Sequence, residues 1–166
     1  GKVKARLGFG RVRIVVTGSA PIASHVMDFL KCLFACPILE GYGQTECAAA
    51  CTLTVANDVA SSGHVGVPLP CNEIKLVSVE DMGYRWDDQW HGRVVDADGT
   101  MSSKGIRCLG RGEICYRGPN IFVGYFKSPD KTAEALTADG WLKSGDIGIW
   151  TTEGHLKIVD RKKNIF

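Results

Sequence analysis

A six-residue segment, residues 41–46, combines side chains that suit nucleotide chemistry. Its glycines let a backbone approach a ligand closely, and Tyr42 offers an aromatic face on which a base can stack. The Thr45 hydroxyl group can bond a phosphate oxygen, and Glu46 supplies the hard oxygen ligand that Mg²⁺ prefers. A plain turn in which Glu46 starts a helix explains the same six residues equally well.

Two cysteine pairs have a spacing that is compatible with metal binding. Cys32 and Cys36 form one C-x3-C pair, Cys47 and Cys51 form another, and His25 lies near the first in sequence. Zinc is therefore an alternative role for these thiols. A core role is favoured, because cysteine is a common small buried residue and Cys32 lies within a predicted amphipathic helix.

Several familiar motifs are absent from the sequence. There is no G-x-x-x-x-G-K-[ST] phosphate loop, no G-x-G-x-x-G after the first predicted strand and no G-x-S-x-G elbow. The four histidines, His25, His64, His91 and His155, show no spacing to a nucleophile. These absences argue against a Walker-type ATPase, a dinucleotide-binding fold and a serine hydrolase.

The surrounding pattern predicts two kinds of element. A strand at residues 11–16, a helix at 22–34 and a strand at 38–40 form a βαβ unit, whose carboxyl edge carries residues 41–46. Short β-rich runs at 73–79, 112–116, 147–151 and 155–159 predict a small antiparallel sheet or distorted barrel. Ser128 and Pro129 start a predicted helix over residues 131–136. Residues 81–110 read as a long surface loop.

Composition is typical of a folded protein. The chain has 166 residues, of which 45% are hydrophobic and 23% are charged. The net charge of +2 comes without a basic stripe, so no nucleic-acid partner is expected. Seven cysteines, an odd number, suit reduced thiols better than a disulfide framework. No run of about 18 apolar residues is present.

Four segments, in order, resemble motifs of the adenylate-forming enzyme superfamily. Residues 42–46, Tyr-Gly-Gln-Thr-Glu, resemble its central motif. Residues 17–21 resemble the loop that borders the acyl and nucleotide pockets, residues 140–146 the ribose-binding motif, and residues 160–164 the hinge between the large and small domains. The chain is most similar to eukaryotic long-chain acyl-CoA synthetases, except over residues 85–107, which form an inserted loop. A surface loop without a specific role is the favoured interpretation of this segment. Contact with a partner or a membrane through Trp86 and Trp90 is the alternative.

The resemblance implies a fold and a reaction. The fold would be α/β plus β, part of the large N-terminal domain: residues 1–66 in an incomplete α/β sheet layer, 67–159 in a small distorted β-barrel, and 160–166 in the hinge. The reaction would use ATP, Mg²⁺ and CoA: a fatty acid is converted to an acyl-adenylate with release of pyrophosphate, and the CoA thiol then displaces AMP. The alternatives are a non-catalytic nucleotide-binding or interaction module and another adenylate-forming activity.

The resemblance also implies roles for individual residues. Thr45 would contact the α-phosphate and Glu46 would hold Mg²⁺, so both are candidate catalytic groups. Tyr42 would stack on adenine, and Asp160 would be the hinge residue. The implied nucleotide-binding set is Gly18, Ser19, Ala20, Glu40, Gly41, Tyr42, Gly43, Gln44, Thr45, Asp146 and Arg161.

Two of these roles have simple alternatives. Asp146, which follows Gly145, could be only a turn residue instead of the acceptor of the ribose hydroxyl groups. The basic run that begins at Arg161 could be a solvated patch instead of a ligand of the ribose or phosphate.

The family's phosphate loop and its catalytic lysine are expected outside this chain, upstream of these motifs and beyond the hinge. Both ends of the sequence read as cut, and the chain alone is predicted to be inactive. The expected localisation is intracellular, with the cytosolic face of the endoplasmic reticulum, peroxisome or mitochondrial outer membrane as options. Peripheral membrane association would arise through regions outside this sequence.

Overall fold

The structure, a computed structural model, describes residues 2–56, 58, 61–92 and 105–162. The central part of the predicted inserted loop, residues 93–104, and the end of the predicted hinge, residues 163–166, lie outside the described residues. Within the described residues, no helix has the length and apolar character needed to cross a membrane.

The first half of the chain builds a four-stranded sheet with two helices. The elements are α1 (Lys2–Arg6), β1 (Val15–Thr17), α2 (Ser24–Phe34), β2 (Ile38–Tyr42), β3 (Thr52–Leu53) and β4 (Val67–Pro68). Strands β1 and β2 run parallel, with Val15 opposite Ile38, and the α2 helix connects them. This confirms the predicted βαβ unit. The strand order is β1-β2-β3-β4, and the pairs beyond β2 are antiparallel.

The apolar face of α2 is only partly covered. Met27 is 1% exposed, whereas Phe29 is 62% exposed. Cys32 also lies on the exposed side, so its predicted core role is wrong. The helix ends where Ala35 adopts a left-handed conformation (φ 46°) and its N–H donates to the Lys31 carbonyl oxygen. This turn directs the chain into β2.

The second half forms an antiparallel sheet of five strands: β5 (Glu73–Val77), β6 (Trp90–His91), β7 (Ile106–Arg117), β8 (Leu142–Thr151) and β9 (Leu156–Arg161). Their order is β5-β7-β8-β9, and β6 pairs with β7. The combination of an α/β layer with a β-rich part is as predicted. The β-rich part is an open sheet, however, and no closed barrel is present among the residues that the structure describes.

The described parts of the predicted surface loop, residues 81–92 and 105–110, contain more regular structure than expected. A 3-10 helix covers Glu80–Met82, and β6 pairs with the start of β7. The guanidinium Nε of Arg111 donates to Asp88 at 2.6 Å, which ties the segment to the sheet. The sequence does not predict β6, because a strand of two residues is too short to show an alternating pattern of apolar and polar residues.

The third helix, α3, covers Pro129–Ala135, with Ser128 at its N-cap position and Pro129 at its start, as predicted. The Ser128 side chain makes no capping hydrogen bond. The helix stops one residue before its predicted end, because Leu136 turns to an extended conformation and pairs with Leu142.

The two sheets share one hydrophobic core and are joined by backbone hydrogen bonds. The Val65 N–H donates to the Leu156 carbonyl oxygen at 2.8 Å, and the Leu156 N–H donates to that of Gly66 at 2.7 Å. The carboxyl ends of β1 and β2 therefore lie opposite β8 and β9. The buried members of the core are Tyr42, Cys47, Cys51, Val65, Ile114, Tyr116, Leu142 and Leu156.

Candidate functional site

A cavity of about 660 Å³ opens between the carboxyl ends of β1 and β2 and the strand pair β8–β9. Its volume falls within the range of about 300–1,000 Å³ that is usual for small-molecule sites. The lining includes most of the residues that the sequence singles out: Ser19, Ala20, Glu40, Gly41, Tyr42, Gly43, Gln44, Asp146, Asp160 and Arg161. Gly18, Thr45 and Glu46 do not line it.

The two loops at the cavity mouth hold unusual backbone conformations. Ser19, which follows β1, has φ 70°, and Ala48 and Ala49, which follow the central motif, have φ values of 52° and 89°. Residues other than glycine rarely adopt this left-handed region, and each such residue costs of order 1–3 kcal/mol. Strain of this kind concentrates at ligand sites, which supports a binding role for both loops.

Gly43 is required by the close approach of its own loop. A Cβ at this position would lie 2.5 Å from the Ala49 carbonyl oxygen and 2.6 Å from the Ala50 Cα. Both atoms belong to the backbone, so a side chain could not be accommodated by a rotamer change. The glycine of the central motif is therefore needed for the shape of the loop.

Asp146 in β8 joins separate parts of the chain at the cavity. Its Oδ2 atom accepts a hydrogen bond of 2.8 Å from the Tyr42 hydroxyl group, and its Oδ1 accepts one of 2.8 Å from Arg161 Nε. The Gln44 side-chain amide donates 2.7 Å to the Ser144 carbonyl oxygen and 3.4 Å to Asp146 Oδ2. Asp146 is 4% exposed, so it is a buried acceptor and not merely a turn residue.

Tyr42 is held by its neighbours on two sides. It is 8% exposed, and its ring contacts the Tyr116 ring edge-on, with 6.4 Å between the centroids. Burial and, to a lesser extent, the Asp146 carboxylate raise the pKa of the Tyr42 phenol. The phenol therefore stays protonated and acts as a donor. Tyr42 lines the cavity, and its stacking on adenine stays a prediction.

The end of β9 is held to the sheet by three side-chain contacts. Tyr84 donates its hydroxyl group to Asp160 Oδ2 at 3.1 Å, and Arg161 pairs with Asp146. Lys162 Nζ lies 2.9 Å from Glu113 Oε2, and Glu113, which is 5% exposed, also accepts from the Gly145 N–H. Any rotation at the predicted hinge must break the contacts made by Asp160 or Lys162.

Glu46 lies next to the cavity but is not part of its lining. Its Oε1 atom accepts a 2.7 Å hydrogen bond from the Tyr125 hydroxyl group, and its carbonyl oxygen accepts one of 2.8 Å from the Phe122 N–H. Thr45 is exposed next to it, in the 3-10 helix Thr45–Cys47. The two candidate catalytic side chains thus border the site on the side of residues 122–125.

Glu40 contributes a buried carboxyl group to the cavity wall. It is 6% exposed in the middle of β2. Burial raises its pKa, and a hydrogen bond from the Ile22 backbone together with the charge of Lys31 opposes this rise. Sequence reasoning placed Glu40 in the site only through the resemblance.

Sequence reasoning missed a cluster of Asp58, His64 and His155, which meets at the junction of the two sheets. His64 Nε2 lies 3.8 Å from Asp58 Oδ2, and the two imidazole rings stack with 4.1 Å between centroids and 12° between planes. The Gly66 N–H donates to His64 Nδ1, so the proton of neutral His64 is on Nε2. A protonated Nε2 and two nearly parallel rings do not fit a shared metal ion.

The cysteine pairs form no metal site. Among the described residues, the only group of three or more His, Cys, Asp or Glu side chains close enough to share an ion is the Asp58 cluster. Cys47 and Cys51 are fully buried in the core, in agreement with the favoured prediction. A hydrogen bond from Cys51 lowers the pKa of the Cys47 thiol, and the same contact together with burial raises that of Cys51.

The fold and the site define a recognised class of enzyme. One solved structure, a malonyl-CoA ligase in a ternary product complex with methylmalonyl-CoA and AMP, superposes with a TM-score of 0.65 and 33% identity, covering 90% of this chain and 27% of that one. The family described as AMP-binding enzyme matches residues 2–126. The chain belongs to the AMP-binding enzyme family.

The chain is more similar to individual members of the family than to this solved structure. The chain is 52% identical to human long-chain-fatty-acid–CoA ligase 6 and 51% identical to human long-chain-fatty-acid–CoA ligase 1, each over 165 residues. These matches cover 99% of this chain and 20% of each relative. The chain thus spans about a fifth of the length of the curated relatives that it matches.

Proposed function

We propose that this chain forms one wall of the nucleotide site of a long-chain fatty acid–CoA ligase. The activity would join a fatty acid to ATP as an acyl-adenylate, releasing pyrophosphate, and then transfer the acyl group to the thiol of CoA, releasing AMP. Identity of about one half to ligases of this name supports the choice of a long-chain acid.

The observation that carries the proposal is the hydrogen-bonded cluster around Asp146. It joins the central motif, through Tyr42 and Gln44, to the predicted ribose-binding motif and to Arg161 at the end of β9. The Asp146 carboxylate thus contacts Tyr42, a residue 104 positions away in the sequence. The cavity beside them, with a volume of about 660 Å³, lies within the range that is usual for small-molecule sites.

Asp146 retains capacity for a ligand. A carboxylate can accept about four hydrogen bonds. Tyr42 and Gln44 donate to Oδ2 and Arg161 donates to Oδ1, which leaves one position for a ligand. A ribose hydroxyl group can therefore donate to Asp146 while Tyr42 stays in place. The side chain of Arg161 is 66% exposed, which leaves it free to turn toward a phosphate or to stay on Asp146.

Glu46 fits the requirement for a metal ligand. Mg²⁺ in nucleotide enzymes is usually held by one or two carboxylates together with substrate phosphates. Tyr125 donates a hydrogen bond to Oε1 of Glu46. The second carboxylate oxygen, Oε2, can therefore act as the metal ligand. When bound, the ion would neutralise charge on the phosphates.

The proposal is tested on the full-length protein with a panel of acids. Purified protein is mixed with ATP, Mg²⁺ and CoA, and thioester formation is compared for a long-chain saturated fatty acid, a short-chain acid and malonate. We expect the long-chain acid to be preferred and its thioester to depend on ATP. Preference for malonate would assign the site to another adenylate-forming activity. Binding of ATP without turnover of any acid would indicate a non-catalytic nucleotide-binding module.

A further inference from the structure

Tyr125 lies at the end of a chain of contacts that leads from α3 to Glu46. Its hydroxyl group donates to Glu46 Oε1 at 2.7 Å, although 79 positions separate the two residues. Its N–H donates to the Thr132 hydroxyl oxygen at 2.9 Å, and the Thr132 hydroxyl group in turn donates to the Ser128 carbonyl oxygen at 3.0 Å. The phenol therefore projects from a backbone that the first turn of α3 holds in place.

The segment before Tyr125 fits the same arrangement. The Phe122 N–H donates to the Glu46 carbonyl oxygen at 2.8 Å, so backbone and side chain of Glu46 are both held by this segment. The Phe122 ring packs edge-on against the Tyr125 ring, with centroids 4.8 Å apart. Gly124 has φ 144°, and a Cβ there would lie 2.7 Å from the Thr132 side chain. The turn therefore needs glycine to bring Tyr125 toward Glu46.

The hydrogen bond has a defined electrostatic direction. Tyr125 is the donor, because its phenol carries a proton and an ionised carboxylate can only accept one. This hydrogen bond and, to a lesser extent, burial raise the pKa of Tyr125. A neutral phenol that donates to a carboxylate forms a charge-assisted bond, which is stronger and more directional than a bond between neutral groups. Such a bond fixes the rotamer of a flexible glutamate side chain in advance. Less conformational entropy is then lost when the carboxylate binds a ligand.

We propose that Tyr125 is a positioning residue for Glu46: by holding Oε1, it orients the carboxylate so that Oε2 faces the metal-bound nucleotide. This inference rests on the proposed function, which gives Glu46 its metal role. Tyr125 itself touches neither the ion nor the substrate in this account. Its effect on the reaction passes entirely through Glu46.

The test compares Tyr125→Phe, Glu46→Gln and the double variant in the full-length protein. The affinity for ATP is measured by calorimetry over a range of Mg²⁺ concentrations without fatty acid, and pyrophosphate exchange is measured separately. Tyr125→Phe is expected to weaken Mg²⁺-dependent ATP binding by about tenfold, the usual effect of losing a hydrogen bond to a charged group. ATP binding without Mg²⁺ is expected to stay unchanged. Phe126→Ala, a change in the adjacent side chain, which is 88% exposed, is the matched control.

The double variant separates positioning from a structural role. If Tyr125 acts through Glu46, adding Tyr125→Phe to Glu46→Gln costs nothing further. Additive losses, or a Tyr125→Phe protein equal to wild type, would overturn the inference while leaving the ligase proposal intact. Mg²⁺-dependent ATP binding that weakens in Tyr125→Phe, in a protein that forms no thioester, would uphold the inference and remove the ligase proposal. A wild-type protein that binds no ATP with Mg²⁺ would overturn both.

Discussion

At the scale of single residues, Glu46 is the side chain on which the proposed chemistry depends most. In the full-length protein, Glu46→Gln is expected to lower the adenylation rate by roughly 10²–10³-fold, the usual loss when one electrostatic contact to developing charge is removed. The amide keeps the size of the side chain and an acceptor for Tyr125, so the fold is expected to persist. ATP–pyrophosphate exchange measures the effect, with Glu134→Gln on the exposed side of α3 as control. Near-normal exchange in Glu46→Gln would exclude the metal role.

His64 gives the protein an acid-sensitive position at the junction of the sheets. Burial has the largest effect on the pKa of His64 and lowers it, and the neighbouring His155 lowers it further. The charge of Asp58 opposes this shift, whereas the charges of Lys31 and Lys157 add to it. Protonation would also place a proton on Nδ1, where the Gly66 N–H already donates. The folded state therefore binds this proton less readily than the unfolded state, in which the pKa is about 6.5. Stability is expected to fall as pH drops below that value.

The variant His64→Asn isolates this contribution. Its amide oxygen can still accept from the Gly66 N–H, but the side chain no longer titrates. Urea unfolding between about pH 7.5 and 5.5, a window that brackets the unfolded value, is expected to show a shallower loss of stability than in wild type. Some slope should remain, because burial also lowers the pKa of His91. An identical slope in both proteins would show that His64 does not set the acid sensitivity.

At the scale of elements, the central motif depends on the tight turn around Gly43. Gly43→Ala is expected to destabilise the protein by about 1–3 kcal/mol, the usual cost of inserting a group into packed structure. The obstructing atoms are backbone atoms of Ala49 and Ala50. Gly10→Ala is the control, because its nearest atom beyond its chain neighbours, the Ala5 Cα, is at 3.8 Å. Denaturant midpoints compare the two, and equal midpoints would show that the loop can yield.

The end of β9 offers a test of the predicted hinge. Asp160 lies opposite Ile147 in the β8–β9 pair, and its side chain accepts from Tyr84. Asp160→Pro fixes φ near −65°, so in the full-length protein thioester formation is expected to fall further than adenylation. Asp160→Ala removes the Tyr84 contact but leaves φ free, and it should spare both half-reactions by comparison. Separate assays of pyrophosphate exchange and acyl-CoA release decide this, and equal losses in Asp160→Pro would contradict the hinge.

The elements differ in how far the sequence predicts them. The βαβ unit follows from local periodicity and turn residues, and it is present. The contacts that make the site are not local: Tyr42 meets Asp146, Glu46 meets Tyr125, and His64 meets His155 only because two sheets share a core. The resemblance supplied Asp146, but no pattern in the sequence identifies Tyr125 as the partner of Glu46. The exposure of Phe29 was equally hidden, since periodicity shows an apolar face but not what covers it.

At the scale of the whole molecule, the cavity exists because the first sheet and the second sheet are fixed to each other at Val65, Gly66 and Leu156. This junction presents the loops after β1 and β2 to Asp146 on β8. Nucleotide binding should therefore draw on both halves of the chain, and it should depend on Asp146 more than on any exposed carboxylate.

The most direct measurement is the KM for ATP of Asp146→Asn in the full-length protein, with Asp130→Asn, an exposed aspartate in α3, as the matched control. The amide keeps the shape of the side chain but loses the charge that accepts from the ribose. Because hydrogen bonds to charged groups contribute about 1.5–3 kcal/mol, the KM for ATP is expected to rise by roughly 10–100-fold while kcat changes little. Thermal unfolding confirms that the variant is folded. An unchanged KM in a folded Asp146→Asn protein would contradict the assignment of this cavity as the nucleotide site.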